Sequence, residues 1–166
     1  MAVSSEDYRE ALSGFPSGVT IVTVKAGDTV HGLTVSAFAS VSPAPPLVAV
    51  AIDHRHRAHE LLESDGAAFA VSILGQEQAE LSNRFAWVKD EDRFAEGDWI
   101  QAVTGAPVLA DALTWLDCTI HDRLVAGSHT IYVGLVQATA DPRSETPPLV
   151  YWSRGYRRLQ LQEDVE

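Results

Sequence analysis

Apolar and polar positions along the chain change period several times, and each change marks a predicted element boundary. Ser5 is placed to cap a helix in which Tyr8, Ala11, Leu12 and Phe15 fall at helical spacing, and Gly14 with Pro16 ends it. A short N-terminal helix is expected there. From Val19 to Val24 the pattern becomes a β-branched run. Ala26-Gly27-Asp28 then reads as a turn into a second strand from Val30, which makes a hairpin. Phe38 to Ser42 reads as extended chain until Pro43 and Pro45-Pro46 interrupt it, and Leu47 to Ile52 supplies the next strand. Helix-forming stretches at Ala58 to Ser64 and Gln76 to Phe85 bracket a strand from Ala67 to Ile73.

Residues 86 to 112 mix charges, glycine and proline with Trp87, Phe94 and Trp99, which predicts an ordered excursion over the surface. Trp115 to Val125 alternates, with Leu116, Cys118, Ile120 and Leu124 on one face. Gly127-Ser128 reads as a turn and His129 to Ala138 as the returning strand. Leu149 to Trp152, a turn at Arg154-Gly155 and Tyr156 to Leu159 follow, before an acidic tail over 161–166 that is expected to fray. About seven short strands with few helices point to a mainly β, antiparallel barrel, and no glycine fingerprint of a dinucleotide-binding α/β fold follows the first strand. The expectation is one domain over 1–166, with its core at about 8–160.

Charge narrows the partners. A formal net charge of −11 disfavours nucleic acid, so the cationic clusters Arg55-His56-Arg57 and Arg154 to Arg158 stand out as sites of local positive potential for an anionic cofactor. No apolar run approaches the roughly 20 residues a membrane helix needs. The start, MAVSSEDYREAL, has no basic segment followed by an apolar one, so a cytoplasmic location is expected. Cys118, the one cysteine, reads as a small core residue. His54, His56 and His59 form an H-x-H-x-x-H pattern that can suggest zinc, but no acidic ligand lies between His56 and His59, and no metal is expected. Trp87, Trp99, Trp115 and Trp152 read as core or dimer-interface anchors, and Arg157 and Arg158 as surface ion-pair partners.

The segment Gly32-Leu33-Thr34-Val35-Ser36-Ala37-Phe38-Ala39-Ser40 carries the first chemical signal. Small and hydroxyl residues at a strand end let a planar polar heterocycle approach the main chain, whose N–H and C=O groups can pair with its edge. On its own the signal is weak, because serine and threonine on a barrel strand commonly just face solvent.

The order and spacing of several motifs carry more. Phe15-Pro16-Ser17-Gly18-Val19-Thr20-Ile21-Val22-Thr23, Gly32 to Phe38, Ser40-Val41-Ser42 and Pro45-Pro46-Leu47-Val48 resemble the flavin reductase-like, FMN-binding split-barrel family. So do Arg84-Phe85-Ala86, Arg93-Phe94, Gly105 to Leu109, Trp115 to Cys118, Gly127 to Ile131, Tyr151 and Arg154-Gly155-Tyr156. The resemblance implies a Greek-key split barrel and a homodimer. It also implies hydride transfer from NADH or NADPH to FMN or FAD, with reduced flavin supplied to a partner monooxygenase.

Carried over by motif, Thr34, Val35, Ser36 and Ala37 would line the flavin ring. Ser40, with Ala51 and Asp53 at the end of the Leu47 strand, would flank the ribityl chain. His129 would sit by the nicotinamide as the catalytic group, with Arg84, Arg154 and Tyr156 as further cofactor contacts. Relatives usually place Ser-x-Thr after the Leu47 strand to hold the flavin phosphate, whereas this chain has His56-Arg57-Ala58. Arg57 would replace the hydroxyls with a charge-assisted contact, aided by the start of the helix near Ala58. Weaker FMN retention, or a preference for FAD, stays open. So do two other uses of the same barrel: an FMN-dependent oxidase and a flavin-binding carrier or sensor.

Overall fold

The computed structural model describes residues 3–89 and 93–159. The elements in chain order are α1 (Ser5–Ser13), β1 (Ser17–Gly18), β2 (Thr20–Ala26), β3 (Thr29–Val35), β4 (Phe38–Pro43), β5 (Pro46–Asp53), α2 (Arg57–Leu62), β6 (Ala68–Ile73) and, after a 3-10 turn, α3 (Ala79–Trp87). They continue with β7 (Trp99–Gln101), β8 (Pro107–Leu109), β9 (Thr114–Ala126), β10 (His129–Thr139), β11 (Val150–Trp152) and β12 (Gly155–Arg157). The expected tail 161–166 lies outside the described residues.

Seven strands form one antiparallel sheet in the order β3-β2-β6-β9-β10-β5-β4. The chain leaves β5 near one end of this order and re-enters at β6 near the other, so α2 crosses over the end of the barrel in between, the Greek-key connection expected. Helical spacing turns Ala58 and Leu62 onto one face of α2, where both are fully buried against Val22, Val24 and Ile52.

Strand β2 is buried on both faces, which is why its sequence is a continuous β-branched run rather than an alternating one. Val22 and Val24 enter the main core with Phe69, Val71 and Tyr132. Val19 and Ile21 enter a second core with Leu74, Phe85 and Leu109, which Phe94 and Trp99 cover. The described part of the predicted excursion is anchored there: Phe85, Phe94 and Trp99 pack with ring centroids 5.0–5.1 Å apart. Gly134 of β10 must be glycine because a Cβ there would run into the buried ring of Phe69.

Several expectations are corrected. Ser4, not Ser5, caps α1 by accepting from the Asp7 N–H at 3.1 Å, and no residue of α1 is buried. Its helical spacing therefore describes an apolar face without an intrachain core. Leu116, Cys118 and Ile120 face the main core, but Leu124 is exposed, because the bulge at His121 breaks the alternation and β9 runs on past the barrel. The turn after β11 is Ser153-Arg154 rather than Arg154-Gly155, with φ of 49° and 58° at the two residues.

Burial pushes the Cys118 thiol up to about 12, and the Asp117 carboxylate adds to it, so the cysteine is an inert core residue. Beneath α2 the buried Tyr132 donates to Glu63 Oε1 at 2.7 Å and accepts from His59 Nδ1 at 2.6 Å, since its single proton is given to Glu63. Burial, then the contact with Glu63, raises the Tyr132 phenol above its ordinary value, and the Tyr132 hydrogen bond lowers Glu63. A carboxylate lowered in the folded state stabilises the fold above its ordinary pKa of 4.5, and that contribution is lost as pH falls through the lowered value. Tyr132→Phe is therefore expected to cost about 1 kcal/mol at neutral pH, because Glu63 stays largely solvated. In urea unfolding the gap to wild type should narrow as pH drops below 4.5. A gap independent of pH would contradict the network.

Candidate functional site

Strands β3 and β4 are the two edges of the seven-stranded sheet, yet they are consecutive in the chain and joined by Ser36 and Ala37 alone. The sheet therefore stays open between them, and a cleft of about 730 Å³ lies at this split. Alternation along β5 buries Val48, Val50 and Ile52 and turns Ala49, Ala51 and Asp53 outward. Ala39 of β4 pairs with Ala49, and Ala37 accepts from the Ala51 N–H at 3.0 Å. Four alanines thus make a flat floor, with Ile131 of β10 beside it. Phe15, Tyr151 and Trp152 wall the cleft.

A second cleft of about 440 Å³ shares Ser36, Tyr151 and Arg154 with the first and adds Thr34, Asn83, Trp87 and Tyr156. The two are continuous through these shared residues. Thr34 Oγ1 donates to the Ser82 carbonyl at 2.6 Å, and the Tyr156 hydroxyl lies 2.8 Å from Ser82 Oγ, so both are pinned to α3. Arg154 holds its left-handed backbone at the junction while its guanidinium pairs with Glu10 of α1 at 2.5 Å. Non-glycine residues in that conformation cost about 1 kcal/mol or more, a strain that is typical of ligand-contacting turns.

The floor runs out at the end of β5. Asp53 is paired in register with His129, and Ile131 stands two residues beyond His129 on the same face of β10, so His129 occupies the next step along the cleft wall. Its Nδ1 is 3.0 Å from Ser128 Oγ. Arg55 grips Asp53 through side-chain contacts of 2.6 and 3.0 Å and through its own N–H, which holds the Asp53 carboxyl far below the usual carboxylate range. Asp53 therefore stays ionised and offsets Arg55. His56 caps α2 without a side-chain cap bond, and Arg57 follows it, exposed on the first turn.

The structure thus brings Thr34, Ser36, Ala37, Ala51, Arg154 and Tyr156 to the two clefts, and Asp53, His56, Arg57 and His129 to the end of β5. Four expected residues are placed otherwise. Val35 points into the main core, because alternation along β3 buries it with Leu33, so only its main chain reaches the split. Ser40 pairs with Val48 and shares its face, opposite to that of the alanine floor. Ala58 is fully buried under α2 and offers no side chain to a ligand. Arg84 is drawn away by its ion pair with Glu96.

Other expectations change as well. Trp87 and Trp152 line the clefts outside the core clusters, and Arg157 lies over the Trp152 ring at 6.0 Å. His54 stacks on His59 at 4.6 Å and lies 3.1 Å from Thr130 Oγ1, so two of the three histidines are held by packing while His56 is exposed. Among the described residues no helix is long and apolar enough to cross a membrane. The outward alanines were a signal open to sequence reading, since Leu47-Val48-Ala49-Val50-Ala51 alternates large and small. Asn83 and Trp87 carried none, because they join the site only through the packing of α3 on β3.

Comparison with known proteins agrees with this geometry. The family described as flavin reductase like domain matches residues 12–160. The chain belongs to the flavin reductase-like family. It is 40% identical over 154 residues to the reductase component of 4-hydroxyphenylacetate 3-monooxygenase of Thermus thermophilus, covering 93% of this chain and 96% of that protein. It is also 40% identical to a flavin reductase (NADH) of Kitasatospora aureofaciens, covering 98% of this chain and 85% of that protein. Among solved structures, the Streptomyces globisporus C-1027 NADH:FAD oxidoreductase in complex with NAD and FAD fragments superposes with a TM-score of 0.88 at 32% identity, covering 99% of each chain.

In a flavin reductase-like barrel the alanine floor is where a planar ring has room to lie flat. Ala49→Leu adds side-chain volume on an outward, half-buried position and is expected to leave the fold intact while weakening flavin binding about tenfold or more. Circular dichroism and quenching of flavin fluorescence check this, and unchanged binding would move the ring elsewhere.

Proposed function

We propose that this protein is an NAD(P)H:flavin oxidoreductase that binds FMN or FAD together with NADH or NADPH at the split of the barrel and delivers reduced flavin to a separate monooxygenase. The observation that carries the reading is the apolar, alanine-floored cleft along the outward face of β5, with the exposed His56 and Arg57 beyond the end of that strand. Its size and apolar walls suit a three-ring heterocycle, and the cations beyond it suit a phosphate. When bound, flavin supplies the hydride acceptor and the nicotinamide supplies the donor.

The protein's part is positioning. Ala37, Ala39, Ala49 and Ala51 leave room for a flat ring against the sheet, with the main chain of 34–37 along its edge. Phe15, Tyr151 and Trp152 wall the place where the ring would lie. Ala51 and Asp53 flank the ribityl chain along the outward face of β5, and His56 and Arg57 take the phosphate, Arg57 through charge-assisted hydrogen bonds. His129, one step along β10 from the cleft, donates a hydrogen bond or proton beside the nicotinamide.

A homodimer fits the exposed apolar surface: Tyr8, Leu12 and Phe15 on and after α1, and Leu124 and Val125 at the tip of the β9–β10 hairpin. The cytoplasm, where reduced nicotinamide nucleotides circulate with their dehydrogenases, is the compartment this activity requires.

Purified protein is expected to oxidise NADH or NADPH only when FMN or FAD is added, followed by nicotinamide absorbance. Flavin bound without any turnover would overturn the reductase reading. His129→Ala is expected to lower kcat by about a hundredfold with little change in flavin affinity, and losing both equally would remove its proposed role. Arg57→Ala should raise the dissociation constant for FMN about tenfold and leave that for riboflavin, which has no phosphate, unchanged. Equal effects on the two ligands would refute the phosphate contact.

A further inference from the structure

The outward face of β5 reads Ala49, Ala51, Asp53, so the strand that floors the larger cleft ends in a carboxylate on that same face. The Asp53 side chain is only 12% exposed, and the Asp53 carboxyl is held ionised. A fixed negative charge there opposes any ligand whose phosphate is taken by the residues just beyond, His56 and Arg57. The strand that best suits a flat ring thus carries a group that repels the anionic end of a nucleotide.

Arg55 answers that charge. Its backbone N–H and its Nε donate to Asp53 Oδ1 at 2.9 and 3.0 Å, and its Nη2 donates to Oδ2 at 2.6 Å. One residue therefore engages both carboxylate oxygens, although its own side chain is 89% exposed. An ordinary exposed arginine is mobile and binds whatever anion passes; this one is committed at three points to a carboxylate two residues away.

We propose that Arg55 is a charge shield rather than a phosphate ligand, and that the Asp53–Arg55 pair sets the preference among riboflavin, FMN and FAD. The inference rests on the flavin placement proposed above and adds what discriminates between its ligands. FMN ends in a phosphate monoester of about two negative charges near neutral pH. FAD spreads its charge over a pyrophosphate, and riboflavin carries none. An unshielded Asp53 therefore repels FMN most, FAD less and riboflavin not at all. With Arg55 in place the pair is neutral, and Arg57 acts on the phosphate without opposition.

The test is isothermal titration of the full chain with each of the three oxidised flavins, read as the ratio of each dissociation constant to that for riboflavin, in which ring and ribityl contributions cancel. Arg55→Gln is expected to raise this ratio about tenfold for FMN and about threefold for FAD, with riboflavin itself changing less than about twofold. The FMN effect should shrink in about 1 M salt, where screening reaches about 3 Å. In an Asp53→Asn background the same Arg55→Gln change is expected to alter the FMN ratio by less than about twofold, because no carboxylate is left to shield.

A direct phosphate contact predicts the opposite in that background, so a loss that persists with Asp53→Asn would overturn the proposal. So would an unchanged FMN ratio in Arg55→Gln, or an equal loss for all three flavins, which would make the pair a purely structural brace. The titrations need no nicotinamide: the expected pattern in a chain that oxidises neither NADH nor NADPH would refute the reductase reading and leave the shield standing. A chain that binds none of the three flavins would remove both.

Discussion

The two-residue link between β3 and β4 is the constraint on which the rest depends. Antiparallel neighbours joined by two residues ordinarily form a hairpin. Here Ser36 and Ala37 instead carry the chain from one edge of a seven-stranded sheet to the other, and Ala37 is tied to β5 by the Ala51 N–H. The edges do not pair, so the barrel keeps a gap whose rim is main chain and small side chains. An unpaired edge invites aggregation unless it is covered. Packing of α3 against β3, with Thr34 bonded to Ser82 and Arg93 bonded to the Gly32 carbonyl at 2.5 Å, covers one side and leaves the split open as a cleft.

The crossover also decides what stands beyond the end of β5. Because α2 must seal the barrel on its way from β5 to β6, Ala58 and Leu62 are spent on the core, and the residues before them are left facing out. Arg55 is held by Asp53, and His54 and His59 pack on each other and contact Thr130 and Tyr132, while His56 and Arg57 are exposed where α2 begins. The same geometry that packs the helix thus sorts a histidine- and arginine-rich segment into packed and outward-facing members. The Ser153-Arg154 turn does similar sorting at the opposite side, holding Arg154 between two clefts at a cost in backbone strain.

The sequence by itself determined the elements. β-branched runs, turn residues and prolines marked nearly every strand of the sheet, because local propensity and burial agree there. The Gly32 to Phe38 segment and the order of the motifs around it were enough to point to a flavin-binding split barrel and to Thr34, Ser36, Ala37, Ala51, Arg154 and Tyr156, which line the clefts. What only the tertiary structure decided is which way side chains face and which distant elements meet. Val35, Ser40 and Ala58 belong to the right segments, but strand alternation and helix docking turn them away, and Arg84 is claimed by Glu96. Trp87 and Trp152, unremarkable among four tryptophans, become cleft walls because α3 and β11 fold beside the split. Periodicity reports that a residue is on a face; what that face meets depends on contacts between residues far apart in the chain, which no local pattern encodes.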